Sequence, residues 1–165
     1  MLAFAICPEQ TGFSACEEIY VPRAAPAHRG ARLLLDHWRT AAGGLVVGRD
    51  VPVRSLSRIL CALALFEPVA ADFHIRLAGS GWRRRFGRDV TGENLSAVLD
   101  GASFAAMAEC LRAVQKSGTA QSMEVRLMEM GRICLCSEMV LLPVLAPDGR
   151  TPRILAGLFF HDWRL

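Results

Sequence analysis

Residues 72–92 read DFHIRLAGSGWRRRFGRDVTG, and the rest of the chain is most easily interpreted outward from this stretch. Its first part alternates apolar and polar side chains, so that Phe73, Ile75 and Leu77 share one face. An alternation of period two is typical of a strand with one buried face. We therefore predict a half-buried strand that ends at Gly79.

A helical turn and a loop follow this strand. Trp82 and Phe86 are four residues apart and should face the same way. In the loop, glycines permit a positive φ or a close approach of backbone, and the aspartate can accept hydrogen bonds in an Asx-type turn. A structural interpretation makes this motif a fixed loop, whereas a functional one gives its arginine an anionic ligand to clamp. The motif residues are Gly87, Arg88, Asp89, Thr91 and Gly92.

Short elements are predicted on both sides of this stretch. A helix is expected at 28–42, ending at Gly43–Gly44, and a buried strand at 60–66. Downstream, helices are predicted at 92–99 and 103–115, with Ser103 as N-cap, and strands at 123–127, 133–145 and 153–162. Strands grouped at both ends of a helical middle indicate an α+β fold with an antiparallel sheet.

The chain has the size and composition of one globular domain. It has 165 residues, of which 52% are apolar and 21% charged. We predict a loosely ordered arm at 1–27, where prolines and small residues recur, and a single domain at 28–165. A net charge of +3 does not demand a nucleic-acid partner, and neither a signal peptide nor an apolar run of about 20 residues is recognised. These features favour a cytoplasmic protein with reduced thiols and with neither a nucleic-acid nor a membrane partner.

Charge is unevenly distributed along the chain. Residues 23–88 carry twelve arginines against four acidic residues, and residues 89–149 carry eight acidic residues against four basic ones. We interpret this as two halves that complement each other in the fold, rather than as a partner surface. Arg83, Arg84 and Arg85 are expected on a solvated helix face, because RNA recognition would want aromatic residues interleaved on strands.

The cysteine and histidine patterns argue against a metal or a common cofactor. Cys134 and Cys136 should share one face of a strand, but zinc takes four ligands and only two are local. We interpret them as small buried side chains. No histidines stand at ligand spacing, which argues against haem, and the cysteine motif of flavin photoreceptors is absent. The cofactor, if any, stays unknown.

The segments RLAG (76–79) and FGRDVTG (86–92) resemble the signature of a PAS-like family of small alphaproteobacterial proteins, and the element order is similar to that of a PAS domain. Trp38, DVPVRSLSRIL (50–60) and FFHDW (159–163) fit the same pattern. The three consecutive arginines depart from it. The resemblance implies a five-stranded antiparallel sheet with short helices on one face, an N-terminal helix that often mediates dimerisation, and a cavity between sheet and helices. It implies no particular ligand.

The side chains that converge between sheet and helices form either a ligand pocket or a packed core. Trp82 is the best pocket candidate, because its indole N–H needs a polar partner. The candidate lining comprises Phe73, Ile75, Leu77, Trp82, Phe86, Arg88, Leu95, Phe104, Met107 and Leu111.

Three functions are consistent with these features. The first is a cytoplasmic PAS sensor or interaction module without its own output domain, which signals through protein contact, with or without a small molecule, as a homodimer formed through helix 28–42. Leu34→Asp should then dissociate the dimer. The second is a small cone-shaped enzyme of the isomerase or dehydratase type, in which Asp89 acts with His74 or His161. The third is an interaction protein with a filled core. Because no nucleophile motif is present, we predict no enzyme.

Overall fold

The computed structural model describes residues 17–41, 45–47 and 56–161, and places seven strands in one sheet. The strands are β1 (Glu17–Arg23), β2 (Leu45–Val46), β3 (Leu63–Val69), β4 (Asp72–Ala78), β5 (Gln121–Glu129), β6 (Arg132–Leu145) and β7 (Pro152–Phe160). The helices are α1 (Arg29–Thr40), α2 (Ser80–Phe86), α3 (Leu95–Val98) and α4 (Gly101–Ser117), with a 3-10 turn at Leu60–Ala62. The predicted α+β fold is confirmed.

The strands lie in the order β1-β5-β6-β7-β3-β4, and β2 pairs in parallel with the end of β6. The predicted count of five strands is wrong, because β1 and β2 add to the sheet. Residues Glu17–Arg23, expected in a loose arm, pair along their whole length with β5. Pro22 is compatible with this pairing because β1 is an edge strand. The rest of the arm (1–16), the helix stop at Gly43–Gly44, residues 50–55 of the DVPVRSLSRIL segment and Trp163 lie outside the described residues.

Helices cover both faces of the sheet. The short helices and α4 pack on one side, here called the inner face, where the core includes Phe66, Ile75 and Leu141. The other side, the outer face, is covered by α1, and its core includes Leu34 and Leu142. The prediction of short helices on one face therefore holds, while the N-terminal helix lies on the opposite face. No helix in the described ranges is long and apolar enough to cross a membrane.

Helix α1 begins after His28, whose ring Nδ1 accepts a hydrogen bond from the Gly30 amide at 3.0 Å. Its apolar side packs on the sheet over Gly157, where a Cβ atom would lie 2.6 Å from a methyl carbon of Leu34. Leu34 is only 1% exposed, whereas Leu33 is 42% exposed. Leu34 therefore belongs to the core of its own chain, and Leu34→Asp would unfold the domain instead of reporting on a dimer.

Helix α4 begins two residues earlier than predicted. Asp100 is its N-cap, and the carboxylate accepts hydrogen bonds from the backbone amides of Ala102 and Ser103 at 3.1 and 2.9 Å. The prediction of Ser103 as N-cap is wrong, because Asp100 stands three residues earlier and its carboxylate already binds free amides of the first turn. Ser103 is buried inside the first turn.

Strand β4 changes its alternation at a bulge. Leu65 pairs with Leu77 while Phe66 pairs with Ile75, so Arg76 is an extra residue. Phe73 and Ile75 are therefore buried on the inner face, as predicted, but Leu77 is 55% exposed. The prediction for Leu77 is wrong because one inserted residue moves every later side chain to the other face.

Candidate functional site

The space beside Trp82, between the inner face and the short helices, is almost completely filled. The cavity that remains there measures about 10 Å³. About 10–15 Å³ is the space that one water molecule needs. Four residues of the predicted pocket line it, namely Trp82, Phe86, Leu95 and Met107.

The other predicted pocket residues take three different places. Phe73, Ile75 and Leu111 are buried in the same inner-face core without lining the cavity, and Phe104 is partly buried against that core. Leu77 lies outside because of the bulge. Arg88 is half-exposed, and both of its terminal nitrogens bind the Glu93 carboxylate, one of them at 2.9 Å.

Trp82 finds its polar partner in the backbone. Its indole N–H donates to the carbonyl oxygen of Ala62 at 2.7 Å, and its ring packs edge-on against Phe66 and stacks on Phe86. This contact depends on a close approach of α2 to the 3-10 turn, where a Cβ on Gly79 would lie 2.4 Å from the Cys61 carbonyl oxygen. The RLAG segment therefore specifies how the start of α2 docks.

A polar cluster at the cavity was not predicted. The side chains of Glu18 on β1 and Arg85 on α2 form an ion pair in which they are 8% and 7% exposed. The Tyr20 hydroxyl donates to the same carboxylate. Burial first, and then the negative charge of Glu18, raise the pKa of Tyr20 far above its ordinary value. The β-branched and aromatic residues of EEIYV were the available signal for a strand here.

The three consecutive arginines do not form one basic patch. Arg83 pairs with Asp89 at 2.7 Å, the Arg84 guanidinium lies 5.5 Å from the centre of the Phe160 ring, and Arg85 turns inward to Glu18. The prediction of a solvated face is wrong for Arg85, because β1 supplies a buried partner that local spacing does not reveal.

The loop that contains the GRDVTG motif (87–92) forms hydrogen bonds along the edge of β4 that faces away from β3. The Gly92 amide donates to the Ile75 carbonyl at 2.7 Å, and the Ile75 amide donates to the Glu93 carbonyl at 2.8 Å. The Thr91 hydroxyl accepts from the Ala78 amide at 3.2 Å. The loop therefore binds backbone N–H and C=O groups of β4 that could otherwise pair with another strand. This arrangement supports the structural interpretation of the motif.

Asp89 does not fit the role of a general base. It is half-exposed and accepts a hydrogen bond from the Thr91 amide at 3.0 Å. Its hydrogen bonds with Thr91, and then with Arg83, lower its pKa to about 2. Such a carboxylate is a weak proton acceptor near neutral pH. The predicted histidine partners bind elsewhere: His74 lies 3.1 Å from the Asn94 side-chain oxygen, and His161 lies 3.9 Å from Glu138.

The two neighbouring cysteines do not share an environment. A second bulge makes Cys134 an extra residue, because Leu127 pairs with Leu135 and Met128 pairs with Ile133. Cys134 is exposed and Cys136 is buried, so the prediction of two buried thiols on one face is wrong for Cys134. Among the described residues, no group of three or more potential ligands is arranged for a metal ion.

A second recess lies on the outer face beside the N-terminus of α1. It measures about 380 Å³, and its lining includes Arg23, Cys136 and His161. Glu138, which is 3% exposed, accepts hydrogen bonds here from the amides of Ala27 and His28 at 2.9 and 3.2 Å. This buried carboxylate therefore holds the chain that leads into α1.

Comparison with known proteins identifies the fold family. A family model described as PAS domain matches residues 27–159. The chain belongs to the PAS domain family. The expected resemblance to PAS domains is thus confirmed.

Solved structures similar to this PAS domain include a chain described as "Structure of an RNA-binding Light-Oxygen-Voltage Receptor". The two are 16% identical with a TM-score of 0.49, and the match covers 89% of the PAS domain chain and 39% of the receptor chain. The PAS domain chain thus spans about two fifths of that receptor's length. The search of curated proteins finds no match.

Proposed function

We propose that this PAS domain is a regulatory interaction module that signals through protein contact, and that its own side chains fill the sheet–helix cavity in the resting state. The observation that carries this proposal is the cavity volume of about 10 Å³. Pockets for small molecules usually measure about 300–1,000 Å³. The resting cavity is therefore far too small for such a ligand.

The polar groups at the cavity support the same proposal. The Trp82 indole N–H is bound to a backbone carbonyl, and the Arg85 guanidinium is bound to Glu18. Small-molecule sites use a few well-placed polar groups to orient their ligand. Here these groups already have partners within the chain.

Native mass spectrometry, followed by the same measurement under denaturing conditions, tests the filled cavity. We expect the purified protein to have the mass of its polypeptide, or an integral multiple of that mass. A mass excess that disappears on denaturation would contradict the proposal, because it would show a ligand held by the folded state.

We propose a second copy of the chain as one partner, bound through the exposed side of α1. That side carries Leu33, which is 42% exposed, together with the exposed Arg32 and Asp36. In a two-fold symmetric contact, the same patch faces itself. An antiparallel pair of α1 helices could then bury Leu33 and place Arg32 of one copy near Asp36 of the other.

Sedimentation equilibrium of Leu33→Glu tests this interface. We expect a dimer for the wild type and a monomer for Leu33→Glu, because the variant would place like charges at the two-fold axis. Val69→Glu is the matched control, since Val69 is 45% exposed at the end of β3. It should remain dimeric. A monomeric wild type, or a dimeric Leu33→Glu, would exclude α1 as the interface.

A further inference from the structure

A groove of about 530 Å³ lies beside the C-terminal half of α1, where β1 ends and β5 begins. Pockets for small molecules usually measure about 300–1,000 Å³, with mostly apolar walls and a few polar groups that orient the ligand. The groove has both features, because Leu35 and Trp38 line it together with Ser122. It is separate from the filled cavity beside Trp82, since of the described residues only Tyr20 lines both.

The apolar wall of the groove is fixed before any ligand binds. The Trp38 indole N–H donates to the Pro143 carbonyl oxygen at 2.8 Å, and Leu35 is buried in the outer-face core. Side chains that are already ordered lose little further entropy on binding. A ligand with an apolar body therefore finds a preformed surface here.

The Ser122 hydroxyl lacks a hydrogen-bond partner. In the part of the chain that the structure describes, its oxygen is the one buried side-chain oxygen or nitrogen that forms no hydrogen bond. Buried polar groups in native proteins are nearly always hydrogen-bonded, and an unsatisfied one destabilises the fold. A polar group of a bound molecule would supply the missing partner.

The groove is basic. Arg23 and Arg39 line it, and no aspartate or glutamate is among the described residues of its lining. The Arg39 side chain is 61% exposed and pairs with Asp36 at 3.7 Å, which is too long for a hydrogen bond. Arg23 stands opposite Ser122 in the sheet, and one of its terminal nitrogens binds Glu124. Because a guanidinium has five N–H donors, both arginines keep donors for an anion.

We propose that this groove binds an amphipathic carboxylate. Its carboxylate binds Arg23, Arg39 and the Ser122 hydroxyl, and its apolar body packs against Trp38. A carboxylate suits these groups because it accepts several hydrogen bonds and matches the planar fork of a guanidinium. Contacts with exposed arginines are weak in water, so the molecule is lost during purification and the native mass expected above is unchanged. The proposal does not rest on the proposed function, since the groove lies outside the filled cavity.

Octanoate is the probe for this groove, and 1-octanol is its uncharged control. Nuclear magnetic resonance of the isotope-labelled wild type measures where and how tightly each molecule binds. Octanoate should shift the backbone amides of residues 35–39 and 119–123, and 1-octanol should bind at least about threefold more weakly because it lacks the charge. Shifts confined to the surroundings of Trp82 would overturn the proposed groove, and they would also contradict the filled cavity.

Two variants at exposed positions test the contacts. Arg39→Gln should weaken octanoate binding at least about threefold and leave 1-octanol binding unchanged. Arg29→Gln is the matched control, because Arg29 is exposed at the other end of α1 and does not line the groove. Ala24→Trp should abolish binding of both molecules, since Ala24 is exposed in the lining and the larger side chain would fill the groove. Circular dichroism confirms that each variant is folded.

A third variant, Ser122→Ala, separates stability from binding. It should raise the melting temperature of the protein without ligand, because it removes an unsatisfied hydroxyl, and it should weaken octanoate binding at least about threefold. The proposal is overturned if octanoate does not bind the wild type, if Arg39→Gln or Ser122→Ala binds it as tightly as the wild type, or if Ala24→Trp retains binding. These outcomes leave the oligomer and native-mass tests unaffected, so the two proposals are judged separately.

Discussion

Asp89 shows how one side chain can make the loop after α2 sensitive to pH. Its hydrogen bonds with Thr91 and Arg83 lower its pKa from the ordinary 3.8 to about 2. A carboxyl whose pKa falls on folding contributes stability that is fully present above its unfolded pKa. That contribution is lost as the pH falls through the folded value.

We therefore expect Asp89→Asn to lower the melting temperature at neutral pH and to reduce the loss of stability between about pH 4 and pH 2. Thermal unfolding followed by circular dichroism across this range measures both effects. Asp148, whose pKa is also lowered to about 2, is still present in the variant, so part of the dependence of the melting temperature on pH should remain. If the melting temperatures of the two proteins depended on pH in the same way, Asp89 would make no pH-dependent contribution to stability.

The cysteines should differ in reactivity according to their burial. Cys61 and Cys134 are exposed, whereas burial raises the pKa of the Cys110 and Cys136 thiols. Because the thiolate is the reactive form, iodoacetamide should label the first pair before the second. Peptide mass spectrometry over a time course measures this order, with urea-unfolded protein as the control. Labelling of Cys136 as fast as Cys134 would contradict the structure.

At the scale of the element, the bulge in β4 separates two side chains that the sequence pattern treats alike. Ile75 is 1% exposed and Leu77 is 55% exposed. We expect Ile75→Ala to lower the free energy of unfolding by about 2–5 kcal/mol. Leu77→Gln should change it by less than about 0.5 kcal/mol, because the side chain is on the surface. Urea denaturation measures both, and a large cost for Leu77→Gln would place that side chain in the core.

Elements with strong local signals could be predicted from the sequence. The alternation around Phe73 and the short turn after it specify β4 and α2, and the family resemblance adds the order of the other elements. The pairing of β1 could not be predicted in this way, because its partner strand is far away along the chain: Arg23 stands opposite Ser122 in the sheet, and its guanidinium binds Glu124. The bulge at Arg76 was also hidden, since it depends on the register of the facing strand.

The sequence predicts several of the side chains that line the candidate site, but not whether they leave an open cavity. Period-two and helical spacing identify which side chains turn inward, and Trp82, Leu95 and Met107 do line the cavity. Whether inward side chains leave a cavity depends on how closely the elements approach, which one-dimensional patterns do not record. Glu18 and Tyr20, which help to fill this cavity, are on β1, a strand that the resemblance to the family did not include.

Across the whole molecule, some ion pairs join the two halves of the sequence. Arg23 pairs with Glu124, and Arg88 pairs with Glu93. Both arginines belong to the basic half and both glutamates to the acidic half. This observation supports the interpretation of complementary halves. Exposed pairs of this kind each contribute about 0–1 kcal/mol to stability.

The sheet separates two cores that share no residue. Leu34 belongs to the outer-face core and Leu111 to the inner-face core. Each leucine-to-alanine change should cost about 2–5 kcal/mol. Because the two side chains have no common partner, the costs should add to within about 0.5 kcal/mol.

Urea unfolding of the wild type, both single variants and the double variant measures this sum. Circular dichroism and tryptophan fluorescence should report one coincident transition for each protein, because both cores rest on the same strands. A coupling energy above about 1 kcal/mol would show that the sheet transmits strain between its faces. Two separate transitions would show that the cores unfold independently.

The extra residue at Arg76 reverses which of the later side chains of β4 face the helices. Ala78, and not Leu77, takes the inward position at the end of β4, where it is partly buried against the inner-face core. Directly after it, the Gly79 amide donates to the Leu63 carbonyl at 2.8 Å, and α2 begins. Without the bulge, Arg76 would stand opposite Leu65, and Leu77 would stand opposite Ala64, where the small alanine now lies. The larger side chain would push the start of α2 away from the sheet. The bulge therefore allows the Trp82 indole to reach the carbonyl oxygen of Ala62.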